Sequence, residues 1–414
     1  MQRLSTALFA AALILAPLSA RGADLVVWWE KGWYPQEDEA VREIIAAFER
    51  DTGKRVDVTF YEERGFPAKI VAALEADQPP DFAFGLELLF HIAEWAYEDQ
   101  LADLERPLSP VLGLFDADAI EASMFFNHRT GRRALYALPM ALATNHVHVW
   151  KSLLEAAGFT LADIPKEWGA FWSFWCDQVQ PAVRQALGRD DIWGIGLPMS
   201  TALDTQDEVV QFQLGYQASW IGRDRRLRID DPAVRAGMIK ALDDYAAVWR
   251  KGCTPPGSTS WGNIDNNKAF LAQSVVLTTN PTLSIPSALR TASPDDYYRN
   301  VVTIDWPADA NGQPLIIDGW IYLGVVFKSG GNPALAGDFV RFLAEGGWLA
   351  HWLDFAGDRY LPPMRKLVEQ PFWLDTSDPH RIRSATQILT RTHLPLYMGV
   401  QDHERGSGPI WQTV

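Results

Sequence analysis

Cysteine is scarce in this chain, which contains only Cys176 and Cys253. In an oxidising compartment the two could form one disulfide, and the alternative is two separate buried thiols. The sequence leaves both open, because it does not show whether the two residues are close in space. No cysteine lies near residues 19–23, which argues against lipid attachment there.

Long apolar runs and an excess of basic residues are also missing. Beyond the first 23 residues no stretch is apolar enough to span a bilayer. The chain has 37 Lys and Arg against 52 Asp and Glu, a net charge of −15. This balance argues against nucleic acid or an anionic membrane surface as a partner, although a small anionic ligand is not excluded.

Catalytic motifs are absent as well. The sequence has no Gly-x-Ser-x-Gly, no His-Glu-x-x-His and no phosphate-binding loop. We therefore predict that the protein is not an enzyme and needs no cofactor. Paired carboxylates are too common for a count to exclude a secreted carbohydrate-active enzyme, which remains an alternative.

An export signal is present at the N-terminus. Arg3 precedes an apolar segment, residues 7–18, and small residues follow at 19, 20, 22 and 23. This pattern predicts a signal peptide over residues 1–22, with cleavage after Gly22 or Ala20, and a protein of the periplasm without a direct membrane anchor.

Alternating strand and helix patterns follow the signal. Apolar segments at 26–29, 56–61 and 81–85 are separated by helical stripes at 35–50 and 66–76. Such alternation predicts an α/β fold with a parallel sheet and right-handed crossovers. About 390 residues remain after cleavage, which exceeds one typical core, so we expect two lobes.

The stretch LVVWWEKGWY at residues 25–34 carries the first functional signal. A buried strand ends in Glu30, Lys31, Trp33 and Tyr34. A charged pair with aromatic rings suits a ligand that has hydroxyls on its edge and C–H groups on its faces, such as a sugar. The chain has 18 tryptophans, most of which we expect in the cores and a few in a cleft.

The order of several segments resembles one family. They are "FERDTGKRVDV", "PPDFAFG", "YALPMA", "VWKSLLEAAGF", "IPKEWGAFW", "KAFLAQSVVLTTNP", "DGWIYLGV" and "PALAGDFVRFLAE". Together they resemble the periplasmic solute-binding proteins of carbohydrate-type ABC importers, the family that includes maltose-binding protein. The resemblance implies a two-lobed, type II-like periplasmic-binding-protein fold, with a mostly parallel sheet flanked by helices in each lobe. Members usually continue into a last helix, which we expect to be missing after residue 414.

The resemblance also implies where the chain crosses between lobes. Crossings are expected near Pro139–Ala143, Ile304–Pro307 and Leu343–Gly347. Lobe 1 would comprise residues 23–141 and 307–343, and lobe 2 would comprise 142–306 and 344–414.

The implied function is capture of a solute between the lobes. A monomeric receptor would bind a sugar, oligosaccharide or polyol in the cleft and deliver it to the transmembrane subunits of an ABC permease, without cofactor or nucleic acid. The alternative within the same class is a receptor for a polyamine, an opine or a metal chelate.

Candidate ligand residues come from the cleft-facing loops of the family pattern. They are Glu30, Lys31, Trp33, Tyr34, Glu87, Asn145, His146, Asp204, Asn280, Trp320, Arg359 and Tyr360. For each, an ordinary structural role is the alternative: a surface ion pair for Lys31, helix capping for Asp204, a turn for Asn280 and core packing for Trp320 and His146. Zinc binding by His146 and His148 lacks an evident third ligand. Gly85 and Thr282 stand where maltose-binding protein has stacking tryptophans, so its binding mode should not be copied whole.

Overall fold

The computed structural model describes residues 22–220, 227–390 and 392–393. The predicted signal peptide lies outside these residues except for Gly22, and the expected C-terminal truncation lies outside them entirely. No helix among the described residues is long and apolar enough to cross a membrane.

Twelve strands are described. They are β1 (Leu25–Glu30), β2 (Val56–Tyr61), β3 (Phe82–Phe84), β4 (Met124–Asn127), β5 (Arg132–Leu135), β6 (Ala137–Thr144), β7 (His146–Trp150), β8 (Trp193–Gly196), β9 (Val275–Asn280), β10 (Val301–Ile304), β11 (Ile317–Val326) and β12 (Thr392–His393).

Helices connect and flank these strands. The α-helices are α1 (Pro35–Thr52), α2 (Phe66–Glu75), α3 (Leu89–Tyr97), α4 (Glu105–Leu108), α5 (Ala117–Ala122), α6 (Lys151–Ala156), α7 (Trp168–Ser173), α8 (Gln180–Leu187), α9 (Leu203–Gly215), α10 (Pro232–Arg250), α11 (Asp265–Leu271), α12 (Ser284–Ala292), α13 (Pro333–Glu345), α14 (Trp348–Phe355), α15 (Arg365–Val368) and α16 (Arg381–Thr390). Short 3-10 turns occupy Leu112–Leu114, Leu161–Asp163 and Pro256–Ser260, and π-helical turns occupy Phe174–Val179 and Asp296–Asn300.

Helix α1 shows how local sequence sets these bounds. Pro35 begins it, and the Glu37 carboxylate accepts a hydrogen bond from the Tyr34 backbone N–H at 3.1 Å. Its apolar stripe, including Ile44 and Phe48, is buried. Gly53 then ends the helix with a φ of 68°, a conformation that glycine adopts without strain.

Two sheets form the frame of the molecule. The first has the order β12-β11-β3-β1-β2, and β6 also pairs with β11. The second has the order β10-β7-β9-β8. A two-stranded ribbon of β4 and β5 completes the set. The predicted α/β fold with two sheets is confirmed.

The pairing directions correct one part of the prediction. In the first sheet β1 pairs in parallel with β2 and β3, but β11 is antiparallel to β3 and β6. In the second sheet only β8 and β9 are parallel. "Mostly parallel" is therefore wrong for the second sheet. Strand β7 continues directly from β6, so the crossing and not a helix sets its direction.

Each sheet has its own hydrophobic core. The core of the first lobe is built on β1, β3, β6 and β11. The core of the second lobe is built on β7, β9, Trp168, Trp175 and Phe212. Most of the tryptophans sit in these cores, as large aromatic side chains usually do.

The chain changes sheets at two places. A single residue, Asn145, separates β6 of the first sheet from β7 of the second. The return runs through residues 305–316, between β10 and β11. Both lie close to the predicted crossings.

Residues after 344 pack differently from the predicted division. Side chains of α14, including Trp352, lie in the first core, where the Trp352 ring contacts Trp29 and Phe84 at centroid distances of 5.7 and 5.2 Å. The prediction placed this segment in lobe 2. The aromatic rings of α14 contact β1 and β3 instead, whereas His380 and α16 contact the second sheet, His380 through Thr303 at 2.7 Å.

Candidate functional site

Glu30 lies at the carboxyl end of β1 and is buried. Its Oε2 accepts a hydrogen bond from the Leu86 backbone N–H at 2.8 Å. Burial raises the pKa of Glu30 to about 8, and the negative charge of Glu63 adds to that rise. Glu30 is thus a carboxyl group held inside the protein with one backbone donor.

Gly85 leaves room for the buried Glu30 carboxylate and for the Phe66 ring. A Cβ atom there would lie 2.7 Å from the Phe66 ring and 3.0 Å from Glu30 Oε2. Only glycine allows this approach. The Phe66 ring stacks on Tyr61 with centroids 5.2 Å apart, so an aromatic pair occupies the place where the resemblance expected a tryptophan.

The Lys31 side chain points to solvent, away from the buried Glu30. It makes a surface ion pair with Glu62 at 2.8 Å, and the two side chains are 50% and 78% exposed. The predicted charged pair is therefore split, with Glu30 inside and Lys31 in solvent, because adjacent residues at a strand end face opposite sides.

Arg359 contacts two of the predicted residues, Trp33 and Tyr360, and is connected to a third, Tyr34, through Glu37. Its guanidinium carbon lies 4.1 Å from the Trp33 ring centroid and 4.5 Å from that of Tyr360. Its Nη1 is 3.1 Å from Glu37 Oε2, and both side chains are buried. Trp33 and Tyr360 thus hold the guanidinium between their rings, and Tyr34 caps the helix that supplies Glu37.

The lobes touch through polar contacts next to this group. The Tyr34 hydroxyl donates to the Ser284 carbonyl at 3.3 Å, and Asn263 Nδ2 donates to Glu63 Oε1 at 3.0 Å. The Leu283 side chain belongs to the first core although the residue comes from the second lobe. Glu30, Arg359 and their neighbours are buried because the two lobes meet over them.

Helix α9 brings three acids to the same region. Asp204, Asp207 and Glu208 stand at positions i, i+3 and i+4 of the helix, which places them on one face. All three are buried. We call them the acid triad. Asn145, at the crossing, donates from Nδ2 to Glu208 Oε1 at 2.9 Å. Sequence reasoning had named Asp204 and Asn145 but missed Asp207 and Glu208, whose helical spacing from Asp204 was the available signal.

Burial and mutual repulsion dominate the electrostatics of the acid triad. Burial raises the pKa of Asp204 and of Asp207 well above the usual value, the charge of Glu208 adds to both rises, and the charge of Asp204 adds to that of Asp207. Burial raises the pKa of Glu208 to about 7, although the hydrogen bond from Asn145 and the nearby Thr279 hydroxyl oppose the rise.

Tyr322 connects the acid triad to the groups of the first lobe. It stands on β11, and its ring lies 5.5 Å from that of Tyr360. Burial raises its pKa well above the usual value, and the charges of Asp207, Asp204 and Glu30 add to the rise while Arg359 lowers it. Tyr322 is therefore within electrostatic range of both lobes' charged groups. Sequence reasoning missed it, although it lies two residues after Trp320 on the same strand face.

Trp320 is buried in the first core, with its ring 6.4 Å from Phe90. Glu87 is half-buried and borders an open groove with Phe90 and His91. A ligand contact by either residue stays a prediction.

Two other predicted residues are used by the fold. Asn280 Nδ2 donates to the carbonyl and hydroxyl of Thr282, at 2.6 and 2.9 Å, and so shapes the turn at Pro281. His146 Nε2 lies 2.7 Å from Ser384 Oγ on α16, and burial lowers the pKa of His146 to about 3. No cluster of His, Cys, Asp and Glu among the described residues is arranged to hold a metal ion.

A second set of buried acids lies beside α16. Asp358 is ion-paired with Arg290, and Arg381 Nη2 is 2.8 Å from Asp378 Oδ2 and its Nε is 3.8 Å from Asp358 Oδ2. The Tyr297 hydroxyl also donates to Asp378 at 2.7 Å. We call Asp358, Asp378, Arg290 and Arg381 the arginine-paired cluster.

The two cysteines lie in the second lobe, away from this region. Cys176 and Cys253 form a disulfide with Cα atoms 5.1 Å apart. It ties the helical segment α7–α8 to the end of α10.

Comparisons with known proteins agree with this arrangement. A family model described as "Bacterial extracellular solute-binding protein" matches residues 43–381. No curated protein matches the sequence. Three solved structures share the fold. An ABC transporter solute-binding protein from Thermotoga lettingae, bound to α-D-tagatose, is 18% identical with a TM-score of 0.69 and covers 86% of this chain and 85% of its own.

The other two are comparable. Maltose-bound MalE3 from T. maritima is 16% identical, with a TM-score of 0.71, over 91% of this chain and 92% of its own. A sugar transporter from Arthrobacter chlorophenolicus with bound laminaribiose is 13% identical, with a TM-score of 0.70, over 90% and 87%. At these identities the likeness concerns the fold.

Proposed function

This chain belongs to the bacterial extracellular solute-binding proteins, and from that membership we propose that it is the periplasmic receptor of an ABC importer for a sugar, oligosaccharide or polyol. The ligand binds between the lobes, and the closed receptor delivers it to the permease. The receptor acts as a monomer and without a cofactor.

One observation carries the proposal. Carboxyl groups of both lobes act on Tyr322, Glu30 from the first lobe and Asp204 and Asp207 from the second, and the Tyr360 ring lies 5.5 Å from the Tyr322 ring. Carboxyl oxygens accept hydrogen bonds from hydroxyls in fixed directions, and aromatic faces pack on the C–H faces of sugar rings. Three solved structures of the same fold hold tagatose, maltose and laminaribiose, which supports a carbohydrate.

The architecture supplies the mechanism. Residues of the first lobe and residues of the second can touch one ligand together only when the lobes meet. A ligand that gains contacts on closure stabilises the closed state by its difference in affinity for the two states. The permease then distinguishes loaded from empty receptor by shape.

A sugar screen tests the function. We expect at least one member of a panel of monosaccharides, disaccharides and polyols, neutral or amine-bearing, to raise the melting temperature of the mature protein in a concentration-dependent way. Stabilisation by opines, metal chelates or polyamines alone would contradict a carbohydrate receptor.

The same samples separate receptor from enzyme. Chromatography of the panel oligosaccharides after long incubation should return them unchanged, because no step of binding and release breaks a bond. Accumulating shorter sugars would identify a carbohydrate-active enzyme instead.

Cell fractionation with the full-length chain should place the mature protein in the periplasm, and retention in the cytoplasm would contradict the signal peptide.

A further inference from the structure

The acid triad groups three buried carboxyl groups without a basic counter-charge among the described residues. Asp204, Asp207 and Glu208 are 6%, 2% and 1% exposed. No arginine or lysine among the described residues makes an ion pair with them, whereas Glu37 on the opposite side pairs with Arg359. The other charges that act on the triad, those of Glu63 and Asp318, are also negative.

Hydrogen-bond acceptors are left over beside these acids. Asn145 is 1% exposed, and while its Nδ2 donates to Glu208, its Oδ1 has no partner. Asp207 Oδ1 is also buried without a partner. Asp204 Oδ2 and Glu208 Oε2 are likewise buried without a hydrogen-bond partner. The region thus has more hydrogen-bond acceptors than donors, and a ligand that donates hydrogen bonds would satisfy them.

Electrostatics indicates which kind of hydrogen-bond donor on a ligand suits these acids. Burying a carboxylate without a counter-charge is costly, and three close carboxylates repel each other as well. A neutral hydroxyl donates one hydrogen bond and leaves the repulsion in place. A protonated amine cancels charge and has three N–H donors on one atom, which matches three acids on one helix face.

We propose that the ligand is a carbohydrate that bears a protonated amino group, and that this group binds between Asp204, Asp207 and Glu208 while Asn145 Oδ1 accepts a further hydrogen bond. The sugar rings lie toward Tyr322 and Tyr360. The inference rests on the proposed carbohydrate function and adds the charge of the ligand to it.

Matched ligands of equal size test the charge. We would titrate the mature protein by calorimetry at pH 7 with glucosamine, N-acetylglucosamine and glucose, with their β-1,4-linked dimers, and with spermidine. N-acetylation removes the charge and keeps the nitrogen. We expect the tightest-binding sugar to carry a free amine and to bind at least tenfold more tightly than its N-acetyl and hydroxyl counterparts.

A matched pair of variants locates the amine. Asp207→Asn should reduce that preference to threefold or less, while Asp243→Asn, an exposed acid of the same lobe, should leave it unchanged. Circular dichroism and melting curves confirm that both variants are folded. A full preference in folded Asp207→Asn would overturn the placement.

The remaining outcomes separate this inference from the function on which it rests. A neutral sugar that binds as tightly as its amine-bearing counterpart, or more tightly, overturns the charged ligand and leaves the carbohydrate receptor standing. Binding of spermidine with no binding of any sugar overturns both. Absence of binding by every probe likewise counts against both.

Discussion

Two groups of buried acids lie between the lobes, and their neighbours differ. In the arginine-paired cluster, Asp358 and Asp378 are 2% and 1% exposed, and two arginines neutralise them. In the acid triad the acids are as deeply buried, but their neighbours are an amide, hydroxyls and further acids.

The difference separates structural from functional charge. A buried acid with a fixed counter-charge holds elements of the chain together and gains little from any ligand. A buried acid without one raises the free energy of the closed, ligand-free protein, and a ligand that supplies donors or positive charge relieves that cost. Burial alone therefore does not identify a site, whereas burial with incomplete compensation does.

The largest effect on stability is expected when an ion pair of the arginine-paired cluster is removed. Arg381→Ala leaves Asp378 buried without its guanidinium partner, so we expect the free energy of unfolding to fall by about 3 kcal/mol. Arg383, two residues away, makes an exposed pair with Asp305. Arg383→Ala should cost less than about 1 kcal/mol in the same urea titrations. Equal losses of unfolding free energy in the two variants would show that the buried ion pair contributes no more than the exposed one.

A smaller effect is expected on binding when the first lobe's own buried acid is removed. Glu30→Ala deletes a carboxyl group at the cleft, and loss of a hydrogen bond of this kind costs about 1.5–3 kcal/mol, roughly ten- to a hundredfold in Kd. Lys31→Ala, which removes the exposed neighbour, should change Kd by less than about twofold. Calorimetry with the best sugar measures both, and a larger effect from Lys31 would contradict the assignment.

Neutralising the acid triad should stabilise the ligand-free protein. We expect Asp207→Asn to raise the free energy of unfolding by about 2 kcal/mol at pH 8. The folded pKa of Asp207 is raised above its unfolded value, so the cost is full above the folded pKa and disappears as pH falls toward the unfolded one. Urea titrations at pH 8 and pH 4 should show the gain shrinking. If Asp207→Asn were less stable than the original protein at pH 8, the Asp207 charge would already be compensated in the ligand-free protein.

The smallest effect concerns a buried base without a counter-charge. Burial lowers the pKa of His146 to about 3, below its unfolded value of about 6.5. Its contribution to stability is therefore full above the unfolded pKa and is lost as pH falls, by about 1 kcal/mol between pH 6.5 and 5.5. His146→Gln should lack this part of the pH dependence while sugar affinity stays unchanged. A large loss of affinity would instead make His146 a ligand residue.

The fold could be predicted from the sequence where local signals are strong. Helix α1 begins and ends within two residues of its predicted bounds, because Pro35 and Gly53 mark its ends. The direction of β7 and the break at Asn145 could not be predicted, since both depend on how the lobes are joined. The docking of α14 on the first core depends on distant aromatic partners and has no local signal.

The candidate site was predicted in part for a similar reason. Loop position after a strand end indicated Glu30, the family resemblance indicated Arg359 and Tyr360, and the structure places Arg359 and Tyr360 beside Trp33 and Tyr34. Lys31 was included although strand alternation turns it to solvent, where it pairs with Glu62, and Glu208 was missed because its burial depends on contact with Asn145 at the crossing. The role of Asn280 in its turn was an alternative that the sequence left open.

The crossing at Asn145 also has a practical consequence. Its backbone N–H donates to the Asp318 carbonyl at 3.2 Å, and its carbonyl accepts from Trp306 Nε1 at 2.9 Å, so the two crossings are bonded to each other. A rotation of the lobes must therefore move the segment of residues 305–316 as well, and this segment has an exposed turn at Gly312. Exposed turns tolerate insertions. A fluorescent protein inserted at Gly312 would sit on the pivot of the receptor, and its brightness would report the concentration of the captured solute in real time.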